Sequence, residues 1–131
     1  IRFTGFAAGR EKYELLASLN VLCAPSHQEN FGMSIAEGLL AGTPVIASKG
    51  TPWEELDTRR CGWWRDNSPA ALAAALEEAF NLTPEESRAM GDRGRSLIME
   101  TYASPQVAAS MKRLYRYLLA QEPKPEFVDL S

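Results

Sequence analysis

Two short runs of consecutive apolar residues constrain the fold of this chain more than any other feature. Val21–Ala24 and Val45–Ala47 are apolar at every position, and such continuity is typical of parallel strands covered by helices on both faces. A third β-rich run, Ile1–Phe6, precedes them, and helical stretches separate the three runs. This alternation predicts βαβ units. We therefore expect an α/β fold, a Rossmann-like parallel sheet flanked by helices.

The boundaries of these elements can be predicted from local signals. Strands are expected within Asn20–Pro25 and Pro44–Ser48, with a further short strand at Gly62–Arg65. Between the first two, apolar residues recur at helical spacing over Gly32–Ala41. Gly42 then occupies the position of a helix C-cap.

Four hydroxyl–proline pairs indicate helix starts in the later part of the chain. A Ser or Thr can cap a helix whose first residue is proline. The pairs are Thr51-Pro52, Ser68-Pro69, Thr83-Pro84 and Ser104-Pro105. Glu54 and Glu86 follow Thr51 and Thr83 by three residues, which predicts two capping boxes. The predicted helices span 52–58, 69–80, 84–101 and 105–120.

Composition excludes several classes of protein. A chain of 131 residues has room for one domain, which we place at 1–121 with a tail over 122–131. The net charge of -3 argues against nucleic-acid binding. Two separated cysteines and one histidine do not predict a metal site, and Cys23 is expected to be a buried thiol. No apolar run approaches the roughly 20 residues that cross a membrane, so a cytoplasmic location is expected.

The segment Pro25–Gly38 carries the strongest functional signal. It leaves the carboxyl end of a predicted strand, forms a polar loop and enters a helix at Phe31-Gly32. Ligands of open α/β sheets bind beyond the carboxyl ends of the strands. A helix N-terminus there offers unpaired N–H groups and a partial positive charge. Because Gly32 lets a ligand approach the backbone closely, the segment suits a phosphorylated ligand.

Two carboxylates flank this turn, Glu29 in the loop and Glu37 inside the helix. Helical side chains point back toward the N-terminus, which aims Glu37 at the same crevice. Carboxylates spaced in this way suit an elongated ligand with hydroxyl pairs at both ends, such as a sugar and a ribose. They suit less well an acid and a base acting on one bond, although some glycosidase pairs are as widely spaced. Two glutamates at this separation also occur by chance, so their neighbours must decide.

The residues around the two glutamates indicate that the pair is functional. The motif Pro-Ser-x-x-Glu-x-Phe-Gly leads to a second Glu and then to Ala41–Ser48. This run resembles the signature of the family-4 retaining glycosyltransferases, two-domain GT-B enzymes. Their C-terminal domain carries two glutamates separated by seven residues and then a Gly-x-Pro-Val strand. The resemblance extends to Phe3, Gly5, Gly50–Leu56 and Gly62.

The resemblance implies a role for each residue of the motif. Glu29 would be the catalytic residue and would contact hydroxyls of the transferred sugar, while Glu37 would hold the ribose hydroxyls. The Phe31 and Gly32 amides, with Asn30 beside them, would face the sugar or pyrophosphate. The implied donor-binding set is Glu29, Asn30, Phe31, Gly32, Met33, Ser34, Glu37, Gly50 and Thr51. The donor would be a nucleotide diphosphate sugar, bound without a metal or another cofactor.

The resemblance also implies parts that this sequence does not contain. Similar enzymes hold the diphosphate with an Arg and a Lys from the first part of the C-terminal domain, and bind the acceptor with an N-terminal domain. We expect both to precede Ile1, so the 131-residue chain should fold but not transfer sugar. The whole enzyme would transfer a hexose with retention, in polysaccharide or glycoconjugate biosynthesis. The alternatives are a degenerate binding module without transfer activity and a plain interaction domain.

Several residues have two interpretations. Asn30 replaces a common Gly and either contacts the sugar or shapes the loop. Trp63 and Trp64 replace small aliphatic residues; we expect packing roles, with contact to the donor base or partner domain as the alternative. His27 is expected to bond the backbone, and otherwise approaches the sugar. Gly91–Arg95 superficially resembles a phosphate loop but is predicted to be helix surface.

The last predicted helix has an apolar side and a basic side. Core packing is the first interpretation, and crossing back to the N-terminal domain is what the resemblance implies. Attachment to an anionic membrane, which would make the enzyme peripheral, is the third. The apolar side comprises Met111, Leu114, Tyr115, Leu118 and Leu119, and the basic side Lys112, Arg113 and Arg116.

Overall fold

A computed structural model describes residues 1–129. The chain divides into two compact units, Ile1–Ile98 and Met99–Ser131. The first unit holds the sheet and the motif. The expected single domain over 1–121 stays a prediction, and the last two residues of the expected tail lie outside the described residues.

The first unit is built on a three-stranded parallel sheet in the order β1-β2-β3. The strands are β1 (Leu22–Ala24), β2 (Val45–Ser48) and β3 (Gly62–Arg65). The register sets Leu22 against Val45 and Val45 against Gly62. These strands confirm the α/β parallel architecture and three of the predicted strand positions.

Six α-helices and one π-helical segment complete the described chain. Their bounds are α1 (Gly9–Ala17), α2 (Met33–Ala41), α3 (Glu55–Thr58), α4 (Pro69–Phe80), α5 (Pro84–Leu97), the π-helical segment Ile98–Tyr102 and α6 (Ser104–Leu118). The predicted helix over 84–101 is therefore two elements, since its last part is π-helical. Within residues 1–129, none of the helices is long and apolar enough to span a membrane.

The strand predicted at Ile1–Phe6 is wrong. Residues 1–8 form neither helix nor strand, and the Phe3 and Phe6 side chains are 93% and 94% exposed. A strand is stable only when its backbone groups pair with a neighbour, and β1 pairs with β2 alone among the described strands. Within residues 1–129, no strand pairs with this segment, so its apolar pattern alone does not make it a strand.

Helices cover both faces of the sheet, as the continuous apolar runs predict. Ile46 and Trp63 are buried against Ala75 of α4. Alternate strand residues point to opposite faces, and on the other face α2 approaches Leu22 and Val45 closely at Gly38. The predicted packing role of Trp63 is confirmed, and its indole N–H also donates to the Glu78 carboxylate at 2.7 Å.

Two of the four predicted hydroxyl caps form. Ser68 accepts from the Ala71 amide at 3.3 Å, and Thr83 and Glu86 form the full capping box. The Thr83 amide and the Thr83 hydroxyl both donate to the Glu86 carboxylate, and these two bonds hold its pKa below the ordinary value. The other two predictions are wrong. The Thr51 hydroxyl donates to the Ser48 carbonyl instead, and α6 begins at Ser104 with Ala103 at the cap position.

The two cysteines differ in environment. Cys61 is fully buried, and burial raises the pKa of its thiol to about 11. The prediction that Cys23 is buried is wrong, because its side chain is exposed. Cys23 lies on the edge strand β1, where the neighbouring residues Leu22 and Ala24 are half-buried on the opposite face.

Helix α5 packs directly against the end of α2. Gly42 ends α2 in the left-handed conformation, with φ 84°, which confirms the predicted glycine cap. The Arg95 guanidinium donates to the Leu40 and Ala41 carbonyls at 3.1 and 3.0 Å. Gly91 and Gly94 are buried, so the interpretation of Gly91–Arg95 as helix surface is wrong at these glycines.

The second unit contains α6 and the tail. None of the described α6 residues is buried, so the predicted core packing of its apolar side is not observed. Arg116 forms an ion pair with Glu122 at 2.7 Å, and Arg113 lies 5.5 Å from the Phe127 ring centroid. The proposed contacts of α6 with another domain or a membrane stay predictions.

The contact between α5 and α2 predicts a graded response to added methyl groups. A Cβ at Gly91 would overlap the Gly42 carbonyl, whereas one at Gly94 would meet the flexible end of Leu39 at 2.7 Å. We expect Gly91→Ala to lower the free energy of unfolding by about 1–3 kcal/mol despite better helix propensity. Gly94→Ala should lower it less, and the exposed Ser96→Ala serves as control. Urea unfolding measures all three, and an unchanged or higher midpoint for Gly91→Ala would contradict this packing.

Candidate functional site

The carboxyl ends of the three parallel strands bring three loops to one edge of the sheet. Residues 25–32 follow β1, residues 49–54 follow β2, and residues 66–68 follow β3. This edge is where open α/β sheets bind ligands. It contains every residue of the predicted donor-binding set except those inside α2, which begins at the same edge.

Hydrogen bonds join the first two loops directly. The Glu29 amide donates to the Gly50 carbonyl at 3.0 Å, and the Ser48 hydroxyl donates to the Ser26 carbonyl. A side chain at position 50 would overlap the His27 carbonyl, so only glycine permits this approach. Glu29 and Gly50, both members of the predicted donor-binding set, are therefore brought together by backbone contacts.

The turn before α2 has the geometry that a ligand-binding helix N-terminus needs. Gly32 occupies the cap position with φ 81° and ψ 68°, a left-handed conformation that favours glycine. Among the described residues, no side chain caps the first turn of α2. The Ile35 amide already donates to the Gly32 carbonyl at 2.9 Å, so the first two amides of α2, those of Met33 and Ser34, are the ones that can turn to a ligand.

Trp53 holds this turn from the interior. Its side chain is fully buried, and its indole N–H donates to the Phe31 carbonyl. The Phe31 and Trp53 ring centroids are 5.1 Å apart at an interplanar angle of 51°. Trp53 belongs to the loop after β2, so this contact fixes the turn after β1 relative to the neighbouring strand.

The two predicted glutamates have different surroundings. Glu29 is exposed, and the Ser26 hydroxyl donates to its carboxylate at 3.3 Å. Glu37 is half-buried, and Lys12 of α1 donates to its Oε1 at 2.6 Å. The hydrogen bond to the Glu37 carboxylate raises the pKa of Lys12, against the opposing effect of burial. Lys12 therefore remains charged at neutral pH.

The remaining predicted residues divide into exposed and buried positions. Asn30, Met33 and Ser34 are exposed at the turn and the first positions of α2. Thr51 is 3% exposed, and both its hydroxyl and its amide donate to the Ser48 carbonyl, at 2.7 and 3.0 Å. Its side chain therefore supports the loop after β2 from inside.

Two residues with open interpretations also lie near this edge. His27 Nδ1 is 3.3 Å from the Asn67 amide nitrogen, which also donates to the Pro25 carbonyl. The expected bond between the His27 ring and the backbone is thus replaced by a side-chain partner. Trp64 is half-buried and donates to the Thr51 carbonyl at 2.9 Å. It lines an open cleft of about 270 Å³ with Pro52, Glu54 and Glu55.

Comparison with known proteins identifies the family of this chain. The profile of the glycosyl transferases group 1 family matches residues 1–97, which include the whole edge described above. The chain belongs to this family. This agrees with the resemblance to glycosyltransferases that the two-glutamate motif indicated in the sequence.

Curated relatives of this group 1 chain are longer. It is 37% identical over 112 residues to a GDP-mannose-dependent alpha-(1-6)-phosphatidylinositol dimannoside mannosyltransferase of Mycobacterium tuberculosis, covering 85% of the chain. It is 33% identical over 110 residues to an MMP alpha-(1->4)-mannosyltransferase of Mycolicibacterium hassiacum, covering 82%. The matches span 28% and 26% of those two proteins.

A solved structure with the same fold supports the architecture. Sucrose-phosphate synthase from Thermosynechococcus elongatus superposes with a TM-score of 0.72 and 30% identity. The superposition covers 88% of this group 1 chain and 29% of the synthase. The Rossmann-like α/β fold is thus shared with part of a larger glycosyltransferase structure.

Sequence reasoning missed two residues of this edge, Lys12 and Trp53. Lys12 lies 25 positions before Glu37 on a helix without a motif, and no local spacing links the two. Trp53 had a weak signal, since it is a large aromatic residue in the loop that follows a predicted strand. That signal was assigned instead to the start of a capped helix.

The contact between Trp53 and Phe31 predicts a local effect of removing one N–H group. Trp53→Phe keeps an aromatic ring but leaves the Phe31 carbonyl without this donor, which costs about 1–3 kcal/mol of unfolding free energy. We expect amide chemical-shift changes concentrated at Phe31–Met33. Trp63→Phe is the matched control, because it removes an indole hydrogen bond to Glu78 on another part of the sheet. Equal shifts at the turn in both variants would contradict a specific role of Trp53.

Proposed function

We propose that this chain is the donor-binding part of a retaining GT-B glycosyltransferase. It binds a nucleotide diphosphate sugar, and the whole protein transfers the hexose to an acceptor with retention of configuration. One observation carries the proposal: the uncapped Gly32 turn opens α2 between Glu29 and Glu37 at the ligand-binding edge of the sheet.

The donor lies across this turn in the proposed arrangement. The diphosphate approaches the first amides of α2, where the helix dipole and the N–H groups favour negative charge. Glu29, the proposed catalytic residue, contacts hydroxyls of the transferred sugar. Asn30, Met33 and Ser34 are exposed around the same turn and contact the donor.

The nucleoside lies toward Glu37 and the loop after β2. The Glu37 carboxylate accepts hydrogen bonds from the ribose hydroxyls, and Gly50 and Thr51 form the far wall. Binding needs no metal, because basic side chains from other parts of the protein join α2 in offsetting the diphosphate charge. An N-terminal domain of the same protein binds the acceptor, so the 131-residue chain alone is inactive. We place this reaction in polysaccharide or glycoconjugate biosynthesis in the cytoplasm. Peripheral association of the full-length enzyme with a membrane is the alternative location.

The relatives narrow the choice of probes. Both relatives named above are mannosyltransferases by name, and one is named as GDP-mannose-dependent. This supports a nucleotide-activated hexose as the donor class. GDP therefore stands first in a panel with UDP and ADP.

Removing the charge of Glu37 tests nucleotide binding. We expect Glu37→Gln to weaken the binding of the preferred nucleoside diphosphate about 10- to 100-fold, since hydrogen bonds to charged groups contribute about 1.5–3 kcal/mol. Calorimetric titration of the full-length protein measures this. Glu77→Gln changes an exposed glutamate of α4 and should leave affinity unchanged. Equal affinities of wild type and Glu37→Gln would remove Glu37 from the site.

Glu29 separates an enzyme from a degenerate binding module. We expect Glu29→Gln in the full-length protein to lower kcat/KM for hexose transfer about 10- to 100-fold, with a smaller effect on binding of the nucleoside diphosphate alone. The same Glu77→Gln variant is the control. Nucleotide binding by a full-length wild type that transfers no hexose would favour the degenerate module.

A further inference from the structure

We infer that Lys12 is a positioning residue of the donor site, which holds the Glu37 carboxylate in the orientation that accepts the ribose hydroxyls. This inference rests on the proposed function, because it assigns a partner to a proposed ligand-binding group. It extends the site to α1, a helix outside the Glu-x7-Glu motif.

The geometry of the ion pair distinguishes it from an ordinary surface pair. Lys12 Nζ and Glu37 Oε1 are 2.6 Å apart, and the two side chains are 33% and 23% exposed. Arg10 and Glu14 form a second ion pair on α1, one helical turn apart from each other. Its N–O distance is the same, but its side chains are 92% and 62% exposed. Solvent screens the second pair more strongly, so the Lys12 pair constrains its carboxylate more firmly.

The donor and acceptor inventory leaves room for a ligand. An ammonium has three donors and no acceptor, and a carboxylate has two oxygens with about four lone-pair sites. Lys12 uses Oε1 in the structure. Oε2 and the remaining lone pair of Oε1 can still accept from two vicinal hydroxyls, so the ion pair and the ribose do not exclude each other.

Holding the carboxylate in advance favours binding. A carboxylate without a fixed partner rotates about its terminal torsion and must be ordered when the ligand arrives, at a cost in entropy. Lys12 orders it in the unbound protein. The raised pKa of Lys12 keeps the ammonium charged throughout the neutral range, so this support is permanent at the pH of ordinary assays.

The competing explanation is a salt bridge that only joins α1 to α2. Both explanations predict that removing Lys12 lowers stability. They differ in recognition of the ribose. A purely structural salt bridge would not change how strongly the protein prefers a ribonucleotide to the same nucleotide without its 2′-hydroxyl.

The experiment compares a nucleoside diphosphate with its 2′-deoxy counterpart on the full-length protein. The nucleoside diphosphate is the one among GDP, UDP and ADP that the wild type binds most tightly. We expect wild type to bind the ribo form about 10-fold or more tightly, the effect of one hydrogen bond to a charged group. Lys12→Met should reduce this ratio at least about 3-fold, and Lys12→Arg, which keeps the charge, should restore most of it. Arg10→Met, which removes the matched exposed pair, should leave the ratio unchanged.

The outcomes separate this inference from the proposed function. If Glu37→Gln abolishes the ribo preference but Lys12→Met and a second variant, Lys12→Gln, both retain it, Lys12 is only structural and the inference is overturned. If wild type shows no ribo preference, or binds none of the three diphosphates, the proposed role of Glu37 fails and the inference fails with it. Loss of the preference in the Lys12→Met variant, with Arg10→Met unaffected, supports the inference.

Discussion

Parallel pairing of β1 with β2 brings together the two loops that carry the motif of the candidate site. The register that sets Leu22 against Val45 brings the ends of both strands to the same edge. There the Ser26 and Phe31 carbonyls accept hydrogen bonds from Ser48 at the end of β2 and from Trp53 in the loop after it. The Glu29 amide donates in the other direction, to the Gly50 carbonyl. Without this pairing the Gly32 turn would have no fixed position, and α2 would begin in an undefined direction. The chemistry of the motif thus depends on backbone contacts of the sheet.

Local signals predicted the elements that local interactions determine. The capping box at Thr83 formed as expected because it depends only on Thr83 and Glu86. The strand at Gly62–Arg65 formed because β2 supplies the neighbour that it needs. Thr51 shows how a competing local contact overrides such a signal, since its hydroxyl donates to the Ser48 carbonyl three residues earlier and α3 starts later. Ile1–Phe6 failed for the complementary reason, because a strand needs a neighbour that its own residues cannot supply.

The motif predicted which residues gather at the edge, but not what supports them. Glu29 and Glu37 were visible in the sequence because their spacing reflects one loop and one helix. Lys12 and Trp53 reach the same edge from other elements, and their contacts to Glu37 and Phe31 become apparent only when the chain is folded. Preorganisation of a ligand-binding group requires such second contacts, and these are the contacts that sequence spacing alone does not reveal.

The central claim is that the donor lies across the Gly32 turn. A crystal structure of the full-length protein soaked with its preferred nucleoside diphosphate tests this most directly. The account predicts phosphate density against the first amides of α2 and a ribose within hydrogen-bonding distance of Glu37, with Lys12 still on the same carboxylate. Well-defined nucleotide density elsewhere on this domain, with the turn unoccupied, would contradict it.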